Sequence, residues 1–295
     1  MRSDGGYLAY GKVDDKESIK TINRAIELGI NVFDTADIYG VGRSEKVLGK
    51  ALKGYREDIV IATKFGCAFE EGNPHTLDGK NTSPQYIRSA LEASMRRLQT
   101  DFIDIYQLHS SQHDFDDAKK VQIVLEELVE EGLIGGYGWS KDDPERMETF
   151  ANSENCNSAQ FVMNITIYKD PMIKLCEKAN LIGLIRSPLA SGVLTGKYNE
   201  HTKIAADHML AEVDFSQERY KKISIKLQKL MEIFKEDGRT LIQGQLDYLM
   251  ATSKTIIPIP GAKTVEQIEE NAGALEFGPL SSDTVNDVKD LFSDI

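Results

Sequence analysis

The chain has 295 residues, 41% of them hydrophobic, with a formal net charge of −12 and three cysteines. That is enough apolar content for one large core, and α/β barrels reach this length as one domain. An acidic chain with no basic stripe argues against nucleic acid or an anionic membrane as partner, and no run of 18 apolar residues is present to span a bilayer. The start, Met1 to Gly6, has no apolar h-region and does not read as a secretory signal. Cys67, Cys156 and Cys176 are far apart and odd in number, which fits neither a disulfide framework nor a metal-ligand pattern. The expectation is reduced thiols in a cytoplasmic protein, with no metal.

Residues 1–15 are glycine-rich and polar and contain no convincing strand. Asp15 is placed to cap a helix over 16–28, with Ile19, Ile22, Ala25, Ile26 and Leu28 as its apolar stripe, and Gly29 stops it. The run Ile30 to Phe33 reads as a buried strand ending on a carboxylate, Asp34, and Tyr39 follows in the loop before Gly40. A short helix over 44–52 takes Ser44 as cap. A second strand, 58–64, ends on Lys64, and 66–82 is a polar loop. Ser83 caps a helix with Pro84 first, running to Leu98. The third strand, 103–109, ends on His109.

Beyond it come a helix at 116–131, a strand at 134–139 followed by Ser140, a helix at 144–152 and a strand at 159–164. A helix at 171–179 and a strand at 181–185 lead into Arg186, Ser187, Pro188 and Leu189. Residues 192–215 form a long loop or lid, and helices over 216–236 and 240–252 follow. A strand at 255–259 precedes Gly261. Thr264 and Gln267 read as a capping box opening a helix to Ala272, and the last helix is 282–292.

Strands and helices alternate throughout, and the strands are near-continuous apolar runs. This predicts a parallel sheet covered by helices. With seven clear strands, a (β/α)8 TIM barrel in one domain, 1–295, with an incomplete or missing first strand, is the leading architecture. An open doubly wound sheet is the alternative, weakened because no Gly-x-Gly-x-x-Gly follows the early strands.

In a barrel the C-terminal strand ends share one face, so Asp34, Lys64 and His109, with Tyr39 beside them, should converge. Singly, each has an ordinary structural reading: a turn cap, a rim lysine, a core histidine, a packed loop tyrosine. Together they suit carbonyl reduction. Hydride addition to a carbonyl carbon leaves charge on oxygen, which needs a proton. Tyr39 can supply it if a nearby ammonium, Lys64, stabilises the phenolate. Asp34 would hold Lys64 charged and aimed, and His109 could hydrogen-bond the carbonyl oxygen. A Schiff-base role for Lys64 or metal ligation by His109 are the other chemistries, but no second histidine or acidic cluster supports a metal.

The tetrad, the run Gly29 to Gly40 with Ser44 to Gly49 behind it, Ser187-Pro188-Leu189 with Leu194 to Lys197, and Ile259 to Thr264 together resemble the aldo-keto reductases over nearly the whole chain from about Val13. The likeness is to the bacterial branch near sugar and aldehyde reductases and the potassium-channel β-subunit relatives. It implies an enzyme that passes the pro-R hydride of NADPH to a small aldehyde or ketone, with Tyr39 as general acid and Asp34, Lys64 and His109 in support. It also implies that Ser140 and Gln160 lie at the nicotinamide carboxamide, that Lys141 is among the cofactor-binding residues, and that Arg186, Ser187, Pro188 and Leu189 lie under the ring and along the pyrophosphate. Lys197 would contact a phosphate, and Gly261, Lys263, Thr264, Gln267, Glu270 and Asn271 would take the adenosine end. A helix start at Thr264 beside Lys263 suits the extra phosphate of NADPH. A cofactor-binding regulatory or redox-sensing module with little turnover is the second expectation. Oligomeric state is open.

Three features depart from the family pattern. Only twelve residues precede the Val13 segment, where a hairpin and first barrel strand are expected; Gly6–Ala9 is a poor substitute, and a missing strand would leave two sheet edges. Lys141 stands where asparagine is common. Arg186 stands where an aromatic often stacks on the nicotinamide, a role a planar guanidinium can also fill.

Overall fold

Among the residues the structure describes, seven parallel strands follow one another around a single curled sheet in chain order. They are β1 (Val32–Asp34), β2 (Val60–Phe65), β3 (Ile105–Leu108), β4 (Tyr137–Ser140), β5 (Cys156–Val162), β6 (Ile182–Arg186) and β7 (Ile256–Pro258). The structure is a computed structural model that describes residues 14–71, 79–109, 115–206, 208 and 210–295. The Gly6–Ala9 strand considered above lies outside the described residues. So do 72–78, which are part of the 66–82 loop, and 110–114.

The helices cover the sheet: α1 (Asp15–Glu27), α2 (Arg43–Ala51), α3 (Pro84–Leu98), α4 (Phe115–Glu130), α5 (Pro144–Ala151), α6 (Asp170–Ala179), α7 (Glu218–Glu236), α8 (Leu241–Thr252), α9 (Val265–Ala272), α10 (Ala274–Phe277) and α11 (Ser282–Phe292). This is the (β/α)8 barrel fold, with the ladder between β1 and β7 absent among the described residues. The helical layer does bridge that gap, because Arg24 of α1 pairs with Glu269 of α9 at 2.7 Å. No described helix is long and apolar enough to cross a membrane.

Strand alternation explains how this sheet builds a site. On β2, Ile61 and Phe65 join the core beneath the helices, while Ala62 belongs to a separate small cluster inside the curl with Ile105 and Leu184. The next inward positions are polar. Lys64 lies opposite Gln107 of β3, and Ser140 opposite Gln160 of β5. Along the axis the interior thus changes from an apolar layer to a polar one, at the C-terminal end where barrels keep their chemistry.

Several helix starts differ from expectation. Asp14, not Asp15, caps α1 by accepting from Lys16 N–H. Gly42, in the left-handed region at φ +89°, precedes α2 without a side-chain cap, and Ser44 instead bonds Thr35 Oγ1 at 2.8 Å. At α9, Thr264 accepts from Gln267 N–H, but the Gln267 side chain turns to the Lys263 N–H at 2.8 Å, so the expected capping box is only half made. A complete one stands at Thr240 and Gln243, opening α8. The 66–82 loop contains a short antiparallel ladder, Cys67–Ala68 with Gly79–Lys80.

Candidate active site

Lys64 is the centre of the polar layer. It is 0% exposed, and its ammonium donates to Asp34 Oδ1 and to the Thr35 carbonyl, each at 2.6 Å. Burial alone would push this ammonium's pKa down, but Asp34, Tyr39 and Asp37 outweigh it and hold the pKa above the ordinary lysine range. Asp34 is held from the other side by Gln160 Nε2 at 2.7 Å and by Gln107 Nε2 at 3.4 Å. Lys64 Nζ lies 5.3 Å from the centre of the Tyr39 ring. Tyr39 in turn meets the His109 ring edge-on, with centroids 5.9 Å apart and planes at 88°. The four residues expected to converge are therefore brought together.

His109 is a neutral imidazole in this setting. Burial, then the positive charges of Lys64 and Arg186, lower its pKa from 6.5 to about 3. Its Nδ1 is buried without a protein partner. The unfolded chain gains a proton at this residue as pH falls through 6.5, whereas the native state does so only near 3. The contribution of His109 to native stability therefore falls as pH falls across that window and is constant above it. His109→Gln removes this penalty and is expected to be less acid-sensitive than the parent, by about 3 kcal/mol at pH 4 relative to pH 7. Urea unfolding at the two pH values measures this, and equal acid sensitivity of the two proteins refutes it.

A buried charged cluster supports the site from behind. Glu45, 0% exposed at the start of α2, accepts from Thr63 Oγ1 at 2.6 Å and from Arg97 Nε at 2.7 Å. Arg97 also reaches Glu71 at 3.0 Å. Asp37 is buried close by, and burial followed by the charge of Glu45 pushes its carboxyl well above the usual carboxylate range.

Residues 1–292 match the family profile described as the aldo/keto reductase family. The chain belongs to that family. The aldo-keto reductase yakc [NADP(+)] of Schizosaccharomyces pombe is 30% identical over 295 residues, covering 97% of this chain and 85% of that protein. The NADH-specific methylglyoxal reductase of Escherichia coli is 30% identical over 290 residues, covering 95% and 89%. Among solved structures, a glycerol dehydrogenase from Gluconobacter oxydans superposes with a TM-score of 0.85 at 27% identity, covering 98% of this chain and 88% of that one. Family membership makes the chain an oxidoreductase.

In this aldo/keto reductase the residues expected to hold a cofactor fall into two groups. At the strand ends, Ser140 Oγ lies 3.5 Å from Gln160 Oε1, and the Lys141 N–H donates to the Gln160 carbonyl at 2.9 Å. The Gln160 amide nitrogen is already engaged with Asp34, so only part of that side chain is left for a carboxamide. Arg186 is ion-paired with Asp142, whose other oxygen takes the Val162 N–H at 2.7 Å. The ion pair with Asp142 fixes where the guanidinium sits at the end of β6. Ser187 has φ +54°, its carbonyl held by Asn164 Nδ2 at 3.2 Å, and it carries the chain through Pro188 and Leu189 to a 3-10 turn, Ala190–Thr195. Lys197 lies over the Tyr198 ring at 4.8 Å.

The second group opens α9. A side chain at Gly261 would meet nothing within 4 Å, so the backbone there is open to a ligand. Lys263 is exposed, Thr264 caps the helix, Gln267 and Glu270 lie in its first turns, and Asn271 is buried with its Nδ2 unpartnered. An orphaned buried amide donor is costly unless a ligand meets it.

Sequence reasoning passed over Gln107, Thr35, Asp142 and the Glu45–Arg97 pair. Gln107 was findable, because it stands two residues before His109 on one strand and so shares its inward face. Among the described residues, no group of three or more His, Cys, Asp or Glu side chains could hold a metal.

Proposed function

We propose that the chain reduces the carbonyl of a small aldehyde or ketone with NADPH, and that Tyr39 is its general acid. The observation that carries this reading is the fully buried Lys64, salt-bridged to Asp34 at 2.6 Å and set 5.3 Å from the Tyr39 ring. The hydroxyl of Tyr39 gives its proton to the carbonyl oxygen, and the Lys64 ammonium stabilises the phenolate left behind. Asp34 keeps Lys64 charged inside a site that would otherwise neutralise it. Neutral His109 donates one ring N–H toward the carbonyl oxygen and orients it. A neutral donor suits this place, because an imidazolium there would compete with Tyr39 as acid.

The donor set fits a dinucleotide. NADPH, when bound, supplies the hydride that reaches the carbonyl carbon. Ser140 and Gln160 would hold its carboxamide, and the Arg186 to Leu189 segment with Lys197 would follow the pyrophosphate. The unpartnered Asn271 amide is suited to a base acceptor, with Glu270 and Gln267 beside it. Lys263, Thr264 and the N-terminus of α9 suit the 2′-phosphate, and the open space at Gly261 allows close approach. Relatives of equal identity are described with opposite preferences, NADP(+) in one and NADH in the other, so Lys263 and α9 are what favour NADPH here.

The test has two steps. Quenching of protein fluorescence should show NADPH binding at least tenfold tighter than NADH, about 1.4 kcal/mol. NADPH consumption with a panel of reactive aldehydes should then show repeated turnover. Tight NADPH binding with no turnover on any aldehyde would point instead to a regulatory cofactor-binding module.

A further inference from the structure

The ladder of Cys67–Ala68 with Gly79–Lys80 pairs Cys67 directly with Lys80. Directly paired residues place their side chains on the same side of a ladder. Cys67 identifies that side, because its Sγ lies 3.5 Å from the His109 carbonyl oxygen. Lys80 therefore stands on the His109 side of the ladder, and it is exposed. The end of β4 brings a second cation. Lys141 follows Ser140 directly, is bonded through its N–H to the Gln160 carbonyl, and is half-buried.

These cations repel one another. The Lys141 ammonium is held below the ordinary lysine range by burial, then by Arg146 and Lys80, against the opposing pull of Asp143 and Asp142. Burial, then the charge of Asp37, push the Cys67 thiol up, against the opposing pull of Lys80. In a chain of net charge −12, where Arg146 is paired with Asp143 and Arg186 with Asp142, Lys80 thus brings a positive charge to the His109 side of the hairpin. Such a field concentrates anions and is relieved when one binds. The cofactor's phosphates have their own cations in Lys197 and Lys263, which follow β6 and β7, whereas Lys80 lies between β2 and β3.

We propose that the site selects carbonyl substrates carrying an anionic group, a carboxylate or phosphate, with Lys80 as the specificity-determining cation. This rests on the carbonyl-reductase reading above. The test compares 4-carboxybenzaldehyde with uncharged benzaldehyde at saturating NADPH. At low ionic strength kcat/KM is expected to be about tenfold higher for the anionic aldehyde, and added salt should erase the difference. Lys80→Ala should lower the anionic value about tenfold, through KM rather than kcat, with benzaldehyde little changed. Lys80→Arg should keep the preference. An anionic-to-neutral ratio that neither salt nor Lys80→Ala alters overturns the proposal.

Calorimetric titration with benzoate and with benzamide separates the two readings. If neither aldehyde is reduced but benzoate binds in a Lys80-dependent way, the carbonyl-reductase reading fails and the anion site stands. If benzaldehyde is reduced and benzoate binds no better than benzamide, the anion site fails alone.

Discussion

Tyr39→Phe is expected to lower kcat for aldehyde reduction by about three orders of magnitude while leaving NADPH affinity within about twofold. The substitution removes one oxygen and keeps the ring. Its edge-on contact with His109 and its place 5.3 Å from Lys64 Nζ survive, so the loop has no packing reason to move. If Tyr39 is the general acid proposed above, what is lost is the proton that the developing alkoxide needs, an interaction made only in the transition state, so kcat should fall rather than KM rise. Lys64→Met should fall nearly as far, for a different reason. Methionine fills the buried volume, but Asp34 loses the cation it pairs with and Tyr39 loses the charge that stabilises its phenolate. The two losses should not add in the double variant, because both remove one proton-donating unit. Stopped-flow or steady-state NADPH oxidation reads all three proteins. A Tyr39→Phe enzyme retaining a tenth of the parent rate would remove Tyr39 from the role of acid.

The parts of this site legible in the sequence were those fixed by chain-local rules. Asp34, Lys64 and His109 stand at or beside the ends of apolar runs, and parallel topology puts such ends on one face whatever the details of packing. Contacts set by long-range packing were not legible. The second strand begins at Val60 rather than Asp58, because Arg56 folds back on the Ile59 carbonyl, the Phe102 carbonyl and Asp104, making a 3-10 turn of Arg56–Asp58. Gln267 looked like the closing half of a capping box, but the Lys263 N–H was the donor it met. The ladder of Cys67–Ala68 with Gly79–Lys80 was read as loop, since its glycine and polar residues have low strand propensity and only pairing makes it regular. Glu45 and Arg97 are 52 residues apart, and no periodicity joins them.

That pair gives the largest expected effect on stability. Glu45 is 0% and Arg97 5% exposed, and Gly49 lets α2 lie against α3, since a Cβ there would sit 2.6 Å from the Leu98 backbone. Arg97→Met leaves a carboxylate in the interior still bonded by Thr63 Oγ1, with Asp37, another buried acid, nearby. Leaving one member of a buried pair uncompensated costs about 3–5 kcal/mol, a large share of a domain's stability. The cost measures the charge left behind, not the worth of the pair, because bringing both ions out of water offsets most of their attraction. Glu45→Leu combined with Arg97→Met should therefore recover most of the loss, provided the two apolar side chains fill the space. Urea unfolding of the parent, each single variant and the double variant measures the cycle. A double variant no more stable than Arg97→Met alone would show that Glu45 and Arg97 act through separate contacts. Where the double variant is stable, its kcat gives the functional part of the cluster: Thr63, next to Lys64 on β2, has lost the Glu45 oxygen that held it. A recovered fold with a lowered kcat would mark Glu45 as a residue that positions Lys64.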